Sequence, residues 1–365
     1  KLYSDKLELS EVSKNFNINL TTTPFLNKTS TYIDIPNEVI TKLFSSINTN
    51  LYPPIYIDNN DILFIKKNEY SYELQRVMEL ANNSRVENKA YYTSPAACYS
   101  LIKSLPNFKN KKIVRVLEPA AGCGNFIPYL IDKYKTCQKL IIDVVDIDYF
   151  SLEIIENLIK KINVPPNVQI NIINKDFLLD AVTEKLNVDL LSSISDPYDI
   201  VVGNPPFGKL KIEKIKNYSF NNFQRKSSNI YSYFLEKSLR ISKYVAFISP
   251  KSFVSSPEFS QLRQMVVQRY LIKVDDHGEK AFDSDVKIET IGIVIGPKSE
   301  NPLVEIDSWI MKEIRNIKKS YIFSKKLPYW LLYRNKVFDM TLEKLETDIF
   351  KVFRDRQITK KNTKN

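Results

Sequence analysis

The chain carries a single histidine, His277, in 365 residues, and only three cysteines, Cys98, Cys123 and Cys137. One histidine cannot build a Cys/His metal site. A Ser-His-Asp triad would have to use that same ring, which has no nucleophile elbow to serve. Three scattered thiols make no disulfide framework, so a reducing, cytoplasmic setting is expected. No apolar run approaches the ~20 residues that a membrane span requires, and no signal peptide is visible. A nuclease signature is also missing. The chain starts at Lys1 rather than at Met and ends in a basic stretch, Arg354 to Lys361, which suggests a trimmed chain.

What is present is enough apolar residue, 43%, for a large core, with an ordinary 26% of charged residues. The length predicts two or three domains. Lys and Arg number 53 against 42 Asp and Glu, a net charge of +11. Such an excess suits a polyanionic partner, DNA or RNA; a Lys-, Asn- and Ile-rich composition from AT-rich coding is the blander alternative. Residues 1–88 read as a small mixed or helical cap, broken at Pro53-Pro54 and helical over Tyr70 to Glu87. From Lys89 strands and helices alternate. A helix runs from Pro95 to about Leu105 behind a Thr93 or Ser94 cap. Strands are expected at Ile113–Leu117, Leu140–Val145, Val168–Ile173, Tyr198–Val202, Tyr244–Ile248, Ile272–Asp275 and Ile288–Ile295. Helices fall at Phe126–Tyr134, Ser151–Ile162, Ile230–Ile241 and Glu258–Tyr270. This alternation predicts an α/β fold with a doubly wound, mostly parallel sheet. Beyond Pro297 the rhythm is lost. There Tyr329-Trp330-Leu331-Leu332-Tyr333-Arg334 could stack on nucleic acid or line a core.

The sharpest stretch is Val201-Val202-Gly203-Asn204-Pro205-Pro206-Phe207-Gly208. A buried strand ends at two prolines, which cannot donate ladder hydrogen bonds, and ligands of open α/β sheets bind at strand carboxyl ends. Upstream, Val116-Leu117-Glu118-Pro119-Ala120-Ala121-Gly122-Cys123-Gly124-Asn125-Phe126 is a strand, a tight turn and a helix start, where Ala120 and Gly122 admit close backbone approach to a ligand. It has no third glycine of a dinucleotide fingerprint and no Lys-Ser/Thr of a phosphate loop. Glu118 before the turn would repel a pyrophosphate and suits a cationic ligand. Asp146 ends the next strand, placed for ribose hydroxyls, and Asp176-Phe177 offers a carboxylate for an exocyclic amine and a ring beside a base.

Glu118 to Gly124, Asp146, Asp176-Phe177 and Asn204-Pro205-Pro206-Phe207, in this order behind Tyr91-Tyr92-Thr93, resemble the S-adenosylmethionine-dependent adenine-N6 DNA methyltransferases of restriction–modification systems, in their gamma-type arrangement. The resemblance covers about residues 89–296. It implies a class I methyltransferase sheet of seven strands, with a small N-terminal segment and a C-terminal extension over 297–365 leading toward DNA recognition. The implied cofactor is S-adenosylmethionine, bound by Thr93, Glu118, Ala120, Gly122, Asp146, Ile147, Asp176, Phe177 and Asn204. The implied catalytic loop is Asn204, Pro205, Pro206 and Phe207, with no metal. An adenine amino nitrogen is a poor nucleophile because its lone pair is delocalised; acceptors at the Asn204 side chain and the Pro205 carbonyl would let it turn pyramidal and attack. Phe207, standing where many relatives carry Tyr, would stack on a flipped base, and Phe282 matches a second base-contacting aromatic. The stretches from Lys209 to Lys216 and from Asn221 to Ser228 read as a basic loop that closes on DNA, or as a solvated charge run.

The implied partner is double-stranded DNA, with a separate recognition or restriction subunit as a further one, and no membrane. About 65 residues follow the last expected strand, too few for a full recognition domain, so recognition is expected to be short, on another chain, or absent from this chain. Two other readings keep the fold: methylation of RNA guanine-N2 or of a release-factor glutamine, and a non-catalytic binding subunit.

Overall fold

The computed structural model describes residues 93–108, 111–149, 164–179, 198–210, 228–282, 288–322, 329–333 and 336–344, with helical backbone also at 151–152, 155–156 and 159. The expectations for the cap over 1–88, for Tyr91-Tyr92 and for most of the basic loop after Phe207 lie outside the described residues.

The described chain builds one sheet of nine strands. They are β1 (Ile113–Glu118), β2 (Lys139–Asp146), β3 (Val168–Asn174), β4 (Tyr198–Gly203), β5 (Ser242–Pro250), β6 (Tyr270–Gly278), β7 (Thr290–Gly296), β8 (Leu303–Ser308) and β9 (Glu313–Lys318). Helices are α1 (Pro95–Lys103), α2 (Ile127–Tyr134), α3 (Ile230–Ile241), α4 (Ser260–Gln268), α5 (Lys319–Ile322) and α6 (Lys336–Lys344). The spatial order is β3-β2-β1-β4-β5-β7-β6-β8-β9. β1 to β5 are mutually parallel, and β7 runs antiparallel between β5 and β6. Every residue of β4 and of β7 is buried, as a sheet covered on both faces demands.

Two features depart from expectation. The sheet has nine strands rather than seven, because the extension after Pro297 adds β8 parallel to β6 and β9 antiparallel to β8. These are six-residue strands with charged residues on the half-exposed face, so their hydrophobic signal is weak. The helix expected over Glu258–Tyr270 begins as a 3₁₀ turn at Pro257–Phe259, and its far end, Tyr270, already belongs to β6.

The order reverses between β1 and β4. Strands β2 and β3 lie to one side and β5 to the other, so a crevice opens at the carboxyl ends of β1 and β4. Helix α1 starts where the sequence predicts, with the Ser94 Oγ accepting from the Ala97 N–H at 3.4 Å and Pro95 in the first turn. Its entry is tied to the far half of the sheet by a hydrogen bond from the Ser94 N–H to the Ala281 carbonyl, 2.8 Å.

Candidate functional site

Glu118, the last residue of β1, is 1% exposed. Its Oε2 has no hydrogen-bond partner among the described residues. Burial pushes its carboxyl well above the usual carboxylate range, and the neighbouring charge of Asp146 adds to the shift. A buried acidic oxygen left without a donor is costly unless a ligand supplies one.

The turn after Glu118 folds back toward β2. The Ala121 N–H donates to the Val145 carbonyl at 3.1 Å, and the Gly122 N–H to Asp146 Oδ2 at 2.8 Å. Gly122 and Gly124 both sit in the left-handed region, at φ 51° and 80°. At Gly124 a Cβ would come within 2.7 Å of Ile127 Cδ1, so only glycine keeps the turn and the start of α2 together. Ala120 is half-buried on this turn.

Asp146 closes β2. Its second oxygen, Oδ1, accepts from the Asp148 N–H at 2.9 Å. Burial raises its carboxyl to about 6, against the opposing pull of the N–H groups of Asp148 and Gly122. Each carboxylate oxygen keeps a lone pair beyond its backbone donor. Ile147 follows with 60% of its surface exposed, an apolar side chain held at the rim. Its carbonyl and that of Asp146 accept from Asn174 Nδ2 at 3.2 and 3.1 Å.

Thr93 is buried beside this turn, and its carbonyl accepts from Asn125 Nδ2 at 2.8 Å. Asn125 was missed by the sequence reading. It is buried, it ties the α1 entry to the glycine turn, and its Oδ1 has no hydrogen-bond partner among the described residues. Its position directly after Gly124 was the signal available.

Asp176 caps its own loop, its Oδ1 accepting from the Leu178 N–H at 2.9 Å. The neighbouring Phe177 ring is packed inward. It stacks on Phe234 of α3 with centroids 5.3 Å apart, Lys237 Nζ lies 4.5 Å from its centroid, and Lys237 also donates to its carbonyl. Phe177 therefore anchors the Asp176 loop to α3.

Asn204, Pro205, Pro206 and Phe207 follow β4 directly. A Cβ on Gly203 would lie 3.6 Å from Pro119 Cδ and 3.9 Å from Glu118 Cγ, so the Asn204 loop leaves the sheet against the wall that carries Glu118. Asn204 and Pro206 are half-buried, Pro205 and Phe207 buried. The loop's exit is clamped by Asn229, the N-cap of α3, whose Oδ1 accepts from the Gly208 N–H at 3.2 Å and the Tyr231 N–H at 3.1 Å. Phe207 lies edge-on to Tyr231, with centroids 6.3 Å apart, and 6.2 Å from the Phe282 ring. Tyr231 is fully buried, hydrogen-bonds to Ser249 Oγ, and touches Phe247, Phe253 and Phe259. The ring that closes the Asn204 loop thus rests on an aromatic stack that the sequence reading did not single out.

The structure brings together Thr93, Glu118, Ala120, Gly122, Asp146 and the Asn204 loop at one rim, with Phe282 arriving from the far half of the sheet to meet Phe207. Among the described residues no group of His, Cys, Asp and Glu could hold a metal ion. No described helix is long and apolar enough to cross a membrane.

Comparison with known proteins agrees with this architecture. The type I restriction-modification system methyltransferase subunit of Streptococcus thermophilus matches with a TM-score of 0.50 at 15% identity, over 84% of this chain and 60% of that one. The Type II methyltransferase M.VspI of Vibrio sp. (strain 343) is 24% identical over 223 residues, 59% of this chain and 50% of the relative. The chain therefore spans about half the length of the curated relative that it matches. The fold is the class I methyltransferase fold, whose cofactor is S-adenosylmethionine. The buried, donor-hungry Oε2 of Glu118 fits the ammonium group of such a cofactor. The Eco57I restriction-modification methylase family model covers residues 60–282, more than half of the sequence, and the chain belongs to that family.

Proposed function

We propose that this protein transfers a methyl group from S-adenosylmethionine to the N6 amino group of an adenine turned out of duplex DNA. The observation that carries the reading is the apposition at the β1–β4 crevice. There the Glu118 wall and the Asn204-Pro205-Pro206-Phe207 loop are near neighbours, with a Cβ on Gly203 only 3.9 Å from Glu118 Cγ. A donor site and an amino-acceptor site on adjacent strand ends suit direct transfer without a covalent enzyme intermediate.

In this reading Glu118 takes the cofactor's ammonium, Asp146 its ribose hydroxyls, and Asp176 its exocyclic amine. The glycine turn admits its chain, and Ile147 covers its base. The bound cofactor supplies an electrophilic methyl on a cationic sulfur. Asn204, through its side-chain oxygen, and Pro205, through its carbonyl, accept the two N–H bonds of the target amino group. These acceptors localise the nitrogen lone pair and stabilise the positive charge that grows as it attacks. Two prolines hold the acceptors in place beforehand, so little order is lost on reaching the transition state. Phe207 stacks on the extruded base, exchanging its present contact with Phe282 for a base contact. The surplus of 53 basic over 42 acidic residues favours a polyanionic substrate.

The test is Asn204→Ala with isotopically labelled cofactor and unmethylated duplex DNA of mixed sequence. Transfer should fall about 10²- to 10³-fold, with cofactor affinity changed far less. Undiminished transfer by the variant would refute the mechanism. Label recovered on cytosine, or on RNA or protein offered in parallel, would refute the substrate.

A further inference from the structure

We infer that the turn joining β8 and β9 is a second contact point on duplex DNA, about half a helical turn away from the methylated base. The inference rests on the proposed DNA substrate.

Strand direction places this turn. β6 and β5 are both antiparallel to β7, and β8 is parallel to β6. The carboxyl ends of β4, β6 and β8 therefore share one rim, and the turn after β8 faces the same way as the Asn204 loop. β8 is four strands from β4 in the sheet. At ~4.8 Å per strand that is ~19 Å, or about 5–6 base pairs at ~3.4 Å each.

The turn is built rigidly. The Trp309 N–H donates to the Asp276 carbonyl at 2.9 Å, Lys280 Nζ to the Trp309 carbonyl at 3.0 Å, and the Met311 N–H to Ser308 Oγ at 3.1 Å. Trp309 is buried against the His277 ring, 4.4 Å away. Yet the next two side chains are large, apolar and open, Ile310 at 52% and Met311 at 51% exposure. Lys312 follows, exposed and at φ 54°, the one described non-glycine residue in the left-handed region. A pinned backbone that presents two apolar side chains, with Lys312 and the exposed Lys280 beside them, suits a sugar–phosphate surface and an adjacent groove. The first residue of β9, the acidic Glu313, is bonded to Arg315 at 2.6 Å. Exposed Glu279 directly precedes Lys280, just after β6.

The same element is linked to the target pocket. A Cβ on Gly278 would lie 2.9 Å from Ile310 Cδ1. Four residues further on, at most ~14 Å of chain, Phe282 meets Phe207. DNA engaged at the turn is thereby in register with the Asn204 loop.

The experiment uses the full chain and unmethylated duplex DNA of mixed sequence. The adenines that the wild type methylates are mapped, and a duplex centred on one of them is footprinted with hydroxyl radicals. The wild type should protect a backbone segment about 5–6 base pairs from that adenine on one side. I310S/M311S should lose this protection and bind about tenfold more weakly with an unchanged salt dependence. K312A should lower the slope of log affinity against log salt by about 0.9. Both variants should keep the wild-type melting temperature and cofactor affinity. A footprint unchanged in both variants would overturn the inference while leaving the proposed activity standing. So would a change in assembly size with the DNA footprint intact, which assigns the turn to a protein partner. A wild type that methylates no duplex overturns both readings.

Discussion

Glu118 links the stability of the fold to its proposed chemistry through one atom. Its carboxyl is buried at the end of β1, its Oε2 lacks a donor among the described residues, and Asp146 repels its charge. Glu118→Gln keeps the shape and removes the charge. A buried, uncompensated charge costs several kcal/mol, and the new amide group gives back about 1–3 kcal/mol of unsatisfied polarity. The net expectation is a ligand-free variant more stable by about 1–2 kcal/mol at pH 8, which is about 2–8 °C in melting temperature for a domain of this size. The sign with pH follows. A carboxyl whose folded value is raised holds its proton where the unfolded chain has already released it, so wild-type stability should decline as pH rises above about 4.3. Glu118→Gln should lack that decline. Cofactor affinity should move the other way. A hydrogen bond to a charged group contributes about 1.5–3 kcal/mol, so titration calorimetry should find S-adenosylmethionine bound about 10- to 150-fold more weakly. A variant less stable than the wild type, or one binding the cofactor equally well, would refute the reasoning.

Other expectations follow from the same geometry. Gly124→Ala forces a Cβ onto a φ of 80° and to within 2.7 Å of Ile127 Cδ1; chemical unfolding should show a loss of about 2 kcal/mol, and calorimetry a weakened cofactor site. His277 is fully buried, and burial lowers its ring to about 4, against the raising effect of Asp275 and Asp276. The unfolded chain then takes up a proton that the folded one refuses, so stability falls as pH drops from about 6.5 toward 4. Urea unfolding at pH 7.5 and 5.0 should show the wild type losing about 2 kcal/mol more than His277→Gln over that interval. Trp330 is buried, its backbone N–H bonded to the Val254 carbonyl at 2.8 Å and its ring packed 5.3 Å from Phe253. Trp330→Ala should cost about 3–5 kcal/mol, measurable as a fall in melting temperature, if the segment after β9 is integral to the domain.

The residues at the strand ends were legible because each follows a short apolar run that stops abruptly. Glu118, Asp146 and Asn204 stand where buried β1, β2 and β4 meet polar or glycine-rich chain, and that boundary needs only local hydrophobicity and turn chemistry to be read. Helix α1 was legible for the same reason, from a Ser-Pro start. Local sequence thus determined that a parallel sheet presents acidic groups and a rigid Asn-Pro-Pro-Phe loop along one edge. Only the tertiary structure decided how these groups meet. Phe207 and Phe282 are joined by a sheet order that brings β6 back beside β7. Phe177 turned inward because α3 offered Phe234 and Lys237, 57 and 60 residues further along the chain. β8 and β9 formed because β6 presented an open edge for β8 to pair with, a long-range event that a six-residue strand cannot announce by itself.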